Sequence, residues 1–161
     1  MKTKFHTAAG KHDVADIAFG VLPSLIGYQL RQAQLAIFSD FQESIGAHAI
    51  TPGLFGVLVV IDANPGLKQT TLARAIRLDR STVVAVIDKL EARKLVARRQ
   101  TDGDRRSNAL WLTSDGKALL GKLTGMVRAH EERLVAGLSQ ADRARLTRLL
   151  QRILHARSSR A

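Results

Sequence analysis

The sequence predicts a mainly α-helical fold that carries one small two-stranded β-wing. Apolar residues recur at helical spacing through most of the 161 residues. Two short strand-forming segments, 95–100 and 108–112, lie on either side of the turn at 101–104, which reads TDGD. Because two short helices directly precede this hairpin, residues 51–112 are predicted to form a winged helix-turn-helix.

The N-terminal segment is predicted to be a loose arm followed by one long helix. The arm covers residues 1–20, with a short helix near 14–19. The long helix begins at Pro23, since proline is tolerated in a first turn, and ends near Gly46. Its apolar stripe, with successive spacings of three or four residues, consists of Leu22, Ile26, Leu30, Ala33, Ile37 and Phe41. So wide an apolar surface requires more than one packing partner.

The central helices are predicted from their capping residues. Thr51 caps a helix that ends at the Asn-Pro-Gly turn 64–66, and a short helix follows over 68–76. Asp79 then caps a helix over 80–94, the predicted recognition helix. Two strands and their turn complete this reading domain.

The C-terminal segment is predicted to hold two more helices. Thr113 opens the first, which runs to about Gly137, and Ser139 caps the second, which reaches about Arg157. The apolar face of the last helix consists of Leu146, Leu149, Leu150, Ile153 and Leu154. Since a winged helix needs only the middle of the chain, these helices and the first long one need another burial partner.

A second copy of the chain is the simplest partner, through two-fold symmetry. We therefore expect a homodimer in which 21–50 and 113–161 are dimerisation helices and 51–112 is the reading domain. The alternative is that the flanking helices fold back on the monomer's own core. The whole chain is expected to form one compact unit.

The net charge of +11 is concentrated in two blocks, 68–107 and 143–161, each with a net charge of +6. The first block coincides with the predicted reading motif, which favours binding of double-stranded DNA over a merely basic, soluble protein. An apolar content of 45% argues against disorder. The chain has no cysteine, which excludes disulfides, thiolate metal sites and a thiol oxidation switch.

Neither a membrane segment nor a secretion signal is predicted. The longest apolar run, near 54–61, is far shorter than the roughly 20 residues that cross a bilayer. The first thirteen residues have no apolar core of signal-peptide type. We therefore expect a cytoplasmic protein with no membrane partner.

Enzymatic chemistry is not predicted. The five histidines lie far apart, without the spacing of a metal site, and are His6, His12, His48, His130 and His155. A glycine-rich phosphate loop, a nucleophile elbow and a carboxylate cluster are all absent from the sequence. We expect no catalytic residue, no metal and no cofactor, and we expect His130 to lie at the surface or at an interface.

Three segments together resemble the MarR family of bacterial transcription regulators. They are ITPGLFGVLVVI from 50, NPGLKQTTLARAIRLDRSTVVAVIDKLEARKLV from 64, and TDGDRRSNALWLTSDGKALL from 101. The resemblance extends over about 22–157. It implies a triangular homodimer, joined by N- and C-terminal helices, that binds palindromic operators and is often released by a small ligand.

The chain departs from the family pattern at two places. Lys94 stands where glycine is usual after the recognition helix, so we expect a longer or slightly strained helix end. Val84 and Ala85 replace a polar or basic pair, which favours contacts with thymine methyl groups over bidentate arginine reading.

The predicted DNA contacts lie on the two short helices and the wing. Residues at the start of the recognition helix enter the major groove, and the start of the preceding helix favours a phosphate. The full set is Lys68, Gln69, Thr70, Arg80, Ser81, Thr82, Val84, Ala85, Lys89, Arg98, Arg99, Asp104, Arg105 and Arg106. By resemblance, one of the last two arginines enters the minor groove while Asp104 holds an arginine. The alternatives are capping by Ser81 and Thr82 beside Asp79, and a merely solvated wing tip.

The resemblance also implies a ligand pocket between the dimer helices and the reading domain. The polar or aromatic candidates for its walls are Tyr28, Arg31, Phe38, His48 and Phe55, and the alternative for each is ordinary packing or surface. The motif is similar to family members that control breakdown of aromatic acids, which suggests an aromatic acid or aryl-CoA effector. An architectural DNA-binding protein without effector, and a small helical enzyme or carrier, are the alternative functions.

Overall fold

This computed structural model describes residues 17–101 and 104–158, and within these ranges it leaves out the side chains of 100–108, 157 and 158. Six helices and three strands occupy the described residues. The helices are α1 (Ile26–Ile45), α2 (Pro52–Ala63), α3 (Gln69–Ala75), α4 (Arg80–Ala92), α5 (Ser114–Leu134) and α6 (Gln140–Ser158). The strands are β1 (Leu67–Lys68), β2 (Val96–Thr101) and β3 (Asp104–Leu112). Short 3-10 helices at Leu22–Ser24 and Gly46–His48 precede and follow α1.

The backbone divides into two units, Met1–Ala36 and Ile37–Ala161, with the boundary inside α1. Within the first unit, the ring of Phe19 lies 6.4 Å from that of Tyr28. The expected helix at 14–19 lies mostly outside the described residues. The expectation of one compact unit, and the assignment of 21–50 and 113–161 as dimerisation helices, stay predictions.

Side-chain caps fix the helix starts where the sequence predicts them. The Thr51 hydroxyl accepts the N–H of Leu54 at 3.3 Å. The Thr113 hydroxyl accepts the N–H of Gly116 at 3.0 Å. Ser139 caps α6 in the same way, through the N–H of the residue three positions later at 3.2 Å. Each cap satisfies a backbone donor that the helix leaves unpaired, and such a cap stabilises by about 1 kcal/mol.

The sheet has three strands rather than the two predicted. β3 lies in the centre, and both β1 and β2 pair with it in antiparallel orientation. Leu67 lies opposite Leu110 in the first pair, while Val96 lies opposite Leu112 in the second. Two residues are too few to show strand periodicity, so β1 exists through its pairing with a segment more than forty residues away.

The hydrophobic core lies in the second unit, where helices α2 to α5 pack around the sheet. Its largest fully buried apolar side chains are Ile45, Ile50, Leu58, Ile61, Leu72, Ile87, Leu90, Leu110 and Leu123. α5 approaches the end of α4 so closely at Gly116 that a Cβ there would overlap the carbonyl oxygen of Leu95. The core therefore fixes the end of the recognition helix against α5.

Several predicted helix ends shift by a few residues. Pro23 belongs to the 3-10 helix before α1, α3 starts one residue after Lys68, and α5 ends before Gly137. The end of α4 confirms the strain expected at Lys94, which has φ 57. The N–H of Lys94 donates to Glu91 and the next N–H donates to Leu90, which is the Schellman arrangement that usually places glycine at this position.

Apolar side chains remain exposed on α1 and on α6. Ile26, Leu30 and Leu35 of α1, all in the first unit, are 39–70% exposed. On α6 the predicted apolar face is also exposed, with Leu149 at 44% and Ile153 at 47%. Such an exposed apolar helix face is typical of an interaction surface.

No single helix among the described residues is long and apolar enough to cross a membrane. One bent pair, Ile26–His48 with Pro52–Ala63, meets the criterion by length and composition only.

Candidate nucleic-acid interface

The start of α4 is held by the carboxylate of Asp79. Its Oδ1 accepts the N–H of Thr82 at 2.8 Å and the hydroxyl of Ser81 at 2.5 Å. Its Oδ2 accepts the hydroxyl of Thr82 at 2.5 Å. These donors, the Ser81 hydroxyl first, hold the pKa of Asp79 well below its ordinary value, so the cap stays ionised. Both hydroxyl protons are directed at the cap, which leaves the two hydroxyl oxygens as acceptors.

α4 has one buried face and one exposed face. Val83, Ile87 and Leu90 are fully buried in the core. The opposite side exposes most of the predicted DNA-contacting residues of this helix, namely Arg80, Ser81, Thr82, Val84, Ala85 and Lys89. The exposed face therefore combines two cations, two hydroxyls and two small apolar side chains, a composition suited to reading a major groove.

The guanidinium of Arg98, on β2, forms hydrogen bonds with three other side chains of the protein. Its Nη2 donates to Asp88 at 2.5 Å and its Nη1 donates to Glu91 at 2.6 Å, both on α4. Its Nε donates to the side-chain oxygen of Gln69, the first residue of α3, at 3.3 Å. One guanidinium thus ties β2 to both short helices and pairs with two carboxylates of α4. All three nitrogens of the guanidinium are engaged within the protein, and the prediction that Arg98 or Arg99 contacts the DNA backbone stays a prediction.

Arg99, the next residue, is exposed because successive side chains of a strand point to opposite faces. Its guanidinium lies 5.3 Å from the ring centroid of Trp111 on β3, a cation–π contact. Trp111 packs in turn on Gly66, whose φ of +83 and lack of a side chain let the turn approach the ring. This stack holds Arg99 on the surface of the wing.

The remaining residues predicted to contact DNA differ in how exposed they are. At the start of α3, Lys68 is exposed in β1, Gln69 is half-buried and Thr70 is exposed. The backbone of Asp104, Arg105 and Arg106 belongs to β3, but their side chains lie outside the described residues. The minor-groove role of the wing tip stays a prediction.

The five candidate pocket residues fall in different units of the chain. Tyr28, half-buried, and Arg31, exposed, belong to the first unit. In the second unit Phe38 is exposed, while His48 and Phe55 are half-buried. The prediction that these side chains line one pocket stays a prediction.

The expectation that His130 lies at the surface or at an interface is wrong, since the residue is 2% exposed on α5. The Nδ1 of His130 donates a hydrogen bond to Oδ2 of Asp40, on α1, at 2.5 Å. The ring of Phe41 packs edge-on against the His130 imidazole. Arg133 lies 3.6 Å from the same carboxylate oxygen. Ninety residues separate His130 from Asp40, so no local sequence pattern could reveal the pair.

Comparison with known sequences identifies the protein's family. The model of the MarR family matches residues 50–107. A Thauera aromatica protein assigned to transcriptional regulation of the hcr operon is 37% identical over 142 residues, which cover 88% of this chain and 86% of that protein. The chain belongs to the MarR family.

Solved structures agree with the MarR-family assignment. The transcriptional repressor CouR bound to a 23-mer DNA duplex superposes with a TM-score of 0.81 at 39% identity, covering 86% of this chain and 98% of that one. CouR bound to p-coumaroyl-CoA gives 0.80 at 36% identity, covering 86% and 97%. PcaV from Streptomyces coelicolor, in complex with its natural ligand, gives 0.79 at 26% identity, covering 87% and 99%.

Within the part of the chain that the structure describes, the charged side chains can also be compared with the requirements of a metal site. The described ranges contain no group of three or more histidine, aspartate or glutamate side chains that could hold a metal ion. The charged clusters that do occur, around Arg98 and around His130, are paired internally. The Arg98 cluster joins β2 to α3 and α4, and the His130 cluster joins α5 to α1.

Proposed function

We propose that this chain is a cytoplasmic, homodimeric transcriptional repressor that binds palindromic double-stranded DNA and is released by an aromatic acid or its CoA thioester. The observation that carries the proposal is the exposed face of α4. It presents Arg80, Val84 and Lys89 opposite a buried apolar face, on a helix whose start is rigidly capped. The sequence similarity to CouR, which has been solved with a DNA duplex, supports the same conclusion.

Base reading would combine methyl contacts and accepted hydrogen bonds. Val84 and Ala85 suit thymine methyl groups. Because the protons of Ser81 and Thr82 are directed at Asp79, their oxygens suit the amino groups of adenine and cytosine rather than phosphate. Arg80 and Lys89 supply charge for the DNA backbone.

The wing would contact the neighbouring minor groove. Arg99, stacked on Trp111, is held at the surface of β2, and β3 continues into Arg105 and Arg106. Arginine is favoured in narrow, electronegative minor grooves. Asp104 would orient one of these arginines.

The dimer would bury the exposed apolar faces of α1 and α6. Leu149 and Ile153 are each about half exposed, so burying the rest of each side chain contributes about half of the roughly 1.5–3 kcal/mol that complete burial gives. Two-fold symmetry would then place two copies of α4 in successive major grooves, about 34 Å apart. A palindromic operator is the matching DNA sequence.

The effector class is supported by the relatives rather than by a described cavity. CouR was solved with p-coumaroyl-CoA, and PcaV with its natural ligand. Tyr28, Arg31, Phe38, His48 and Phe55 are the candidates for such a ligand's contacts. We infer a regulator rather than an enzyme because the family and its structural neighbours are regulators.

The test is selection of genomic fragments with the purified protein, followed by gel-shift titration on the recovered duplex. We expect a palindromic site, a strong fall of affinity with salt, and release by p-coumaroyl-CoA or p-coumarate. Arg80→Ala should weaken binding, whereas Arg128→Ala, an exposed arginine on α5, serves as the matched control. A monomer that ignores duplex DNA at low salt would overturn the proposal. Binding without sequence preference or ligand response would indicate an architectural protein instead.

A further inference from the structure

The junction between α1 and α2 holds an unusual backbone conformation. Ala49 follows the 3-10 helix Gly46–His48 with φ 51, in the left-handed region, and its N–H donates to the carbonyl of Gly46 at 2.8 Å. The Cβ of an L-residue disfavours this region, so a non-glycine residue stays there only when its surroundings hold it. A conformation of this kind is a candidate two-state element.

Arg93 holds this junction from the end of the recognition helix. Its Nη1 donates to the carbonyl of Ala49 and its Nη2 donates to the carbonyl of His48, both at 2.8 Å. A planar guanidinium suits two neighbouring carbonyls, and hydrogen bonds from a charged donor are stronger than neutral ones. Arg93 is half-buried and directly follows α4. We call this pair of hydrogen bonds the Arg93 fork. As long as the fork is formed, His48 and Ala49 move with α4.

The backbone next to Arg93, at the end of α4, is also held in a strained conformation. Lys94, next to Arg93, has φ 57, so two of the three non-glycine residues with positive φ in the described segments adjoin this contact. Lys94 is fixed by the Schellman bonds at the end of α4, and Leu95 by the close approach of α5. Arg93 thus extends from a rigid anchor to a junction held in a strained backbone conformation.

We infer that Arg93 is the positioning residue through which effector occupancy near α1 and α2 changes the operator affinity of α4. In the DNA-binding state the fork is closed and Ala49 is left-handed. Effector binding favours the state in which the fork is open and Ala49 returns to an ordinary backbone region. Both ligands then act on one equilibrium, which is the physical requirement for coupling between two sites. This inference rests on the proposed function.

The first test measures coupling separately from stability. Operator affinity of the dimer is measured with and without p-coumaroyl-CoA, and in parallel with p-coumarate, for the wild type, Arg93→Ala, Arg93→Lys and Arg128→Ala. We expect the active probe to weaken wild-type and Arg128→Ala binding by about 5–150-fold, the usual range of coupling. In both Arg93 variants this ratio should fall towards 1, although calorimetry still shows the probe binding. A purely structural role would lower thermal stability without changing the ratio.

The second test is a rescue. Arg93→Ala should weaken operator binding in the absence of the probe, and adding Ala49→Gly should recover part of that affinity, because glycine takes the left-handed conformation without the fork. Equal release of the wild type and Arg93→Ala would overturn the inference alone. A lysine variant that behaves like the wild type would also overturn it, since charge without the planar fork would then be sufficient. A wild type that neither binds the operator nor responds to either probe would overturn the proposed function, and this inference with it.

Discussion

Replacing Arg98 by methionine separates internal ion pairing from DNA contact. The change removes the bonds to Asp88 and Glu91, at 2.5 and 2.6 Å, and leaves both carboxylates unpaired on the recognition helix. Both partners are exposed, at 58% and 40%, so each pair contributes only about 0.2–1 kcal/mol to stability. The protein should therefore fold, with a loss of stability of roughly 1–2 kcal/mol at most.

The change should also lower DNA affinity. A carboxylate about 7 Å from a phosphate is repelled by roughly 0.6 kcal/mol in water. Losing Arg98 leaves one more uncompensated negative charge per protomer, which gives two such terms in a dimer, and screening over a Debye length of about 8 Å reduces their sum to roughly 0.5 kcal/mol. Operator affinity should then fall about twofold.

The assay is a salt titration of operator binding for the wild type, Arg98→Met, and Arg98→Met combined with Asp88→Asn and Glu91→Gln. If Arg98 acts internally, the single variant keeps nearly the wild-type salt slope and the neutralised variant recovers affinity. If Arg98 instead contacts a phosphate in each protomer, the slope falls by about 1.8. A slope loss of that size without recovery would refute the internal role.

Four further outcomes follow from the structure. Gly116→Ala should destabilise the protein by about 1–3 kcal/mol or more in urea unfolding, because its Cβ overlaps a backbone carbonyl that cannot move away; unchanged stability would show that the close approach is not real. Lys94→Gly should stabilise by about 0.5–1 kcal/mol in the same assay, since glycine removes the cost of positive φ, and a destabilised variant would contradict the strain at that position. Asp79 has a lowered pKa in the folded state, so its contribution to stability is complete above the unfolded pKa of about 4 and is lost as the pH falls below it; Asp79→Asn should therefore show a smaller loss of stability than the wild type between about pH 5 and pH 2. Arg105→Ala or Arg106→Ala should weaken operator binding about tenfold with unchanged thermal stability, in keeping with the cost of about 1–3 kcal/mol for one lost specific contact, and full affinity in both variants would exclude the wing from the interface.

The sequence predicts those parts of the fold whose cause is local. Helix starts at Thr51, Asp79, Thr113 and Ser139 are confirmed because a cap needs only a side chain and an N–H three residues away. The helix predicted after Asp79 is confirmed as α4 because its apolar spacing lies within one segment. Its exposed face follows from the same spacing.

The unpredicted features depend on partners distant in sequence. β1 pairs with β3 across more than forty residues, and Arg93 reaches carbonyls 44 and 45 residues earlier. His130 and Asp40 are ninety residues apart. Arginine, histidine and aspartate are residue types usually found at the surface. Only the fold supplies the partners with which Arg93, His130 and Asp40 form hydrogen bonds inside the protein.

The basic charge of the reading region is therefore a poorer guide to DNA contacts than its total suggests. Arg93 and Arg98 both belong to the block with a net charge of +6, yet the first donates to two backbone carbonyls and the second to two carboxylates and an amide. Arg99 differs from Arg98 by one position on a strand, and that single step turns it outward onto Trp111. The same residue type thus serves to position a helix in one case and to lie exposed on the surface in the next. Which role applies is set by strand periodicity and by the partners the fold supplies.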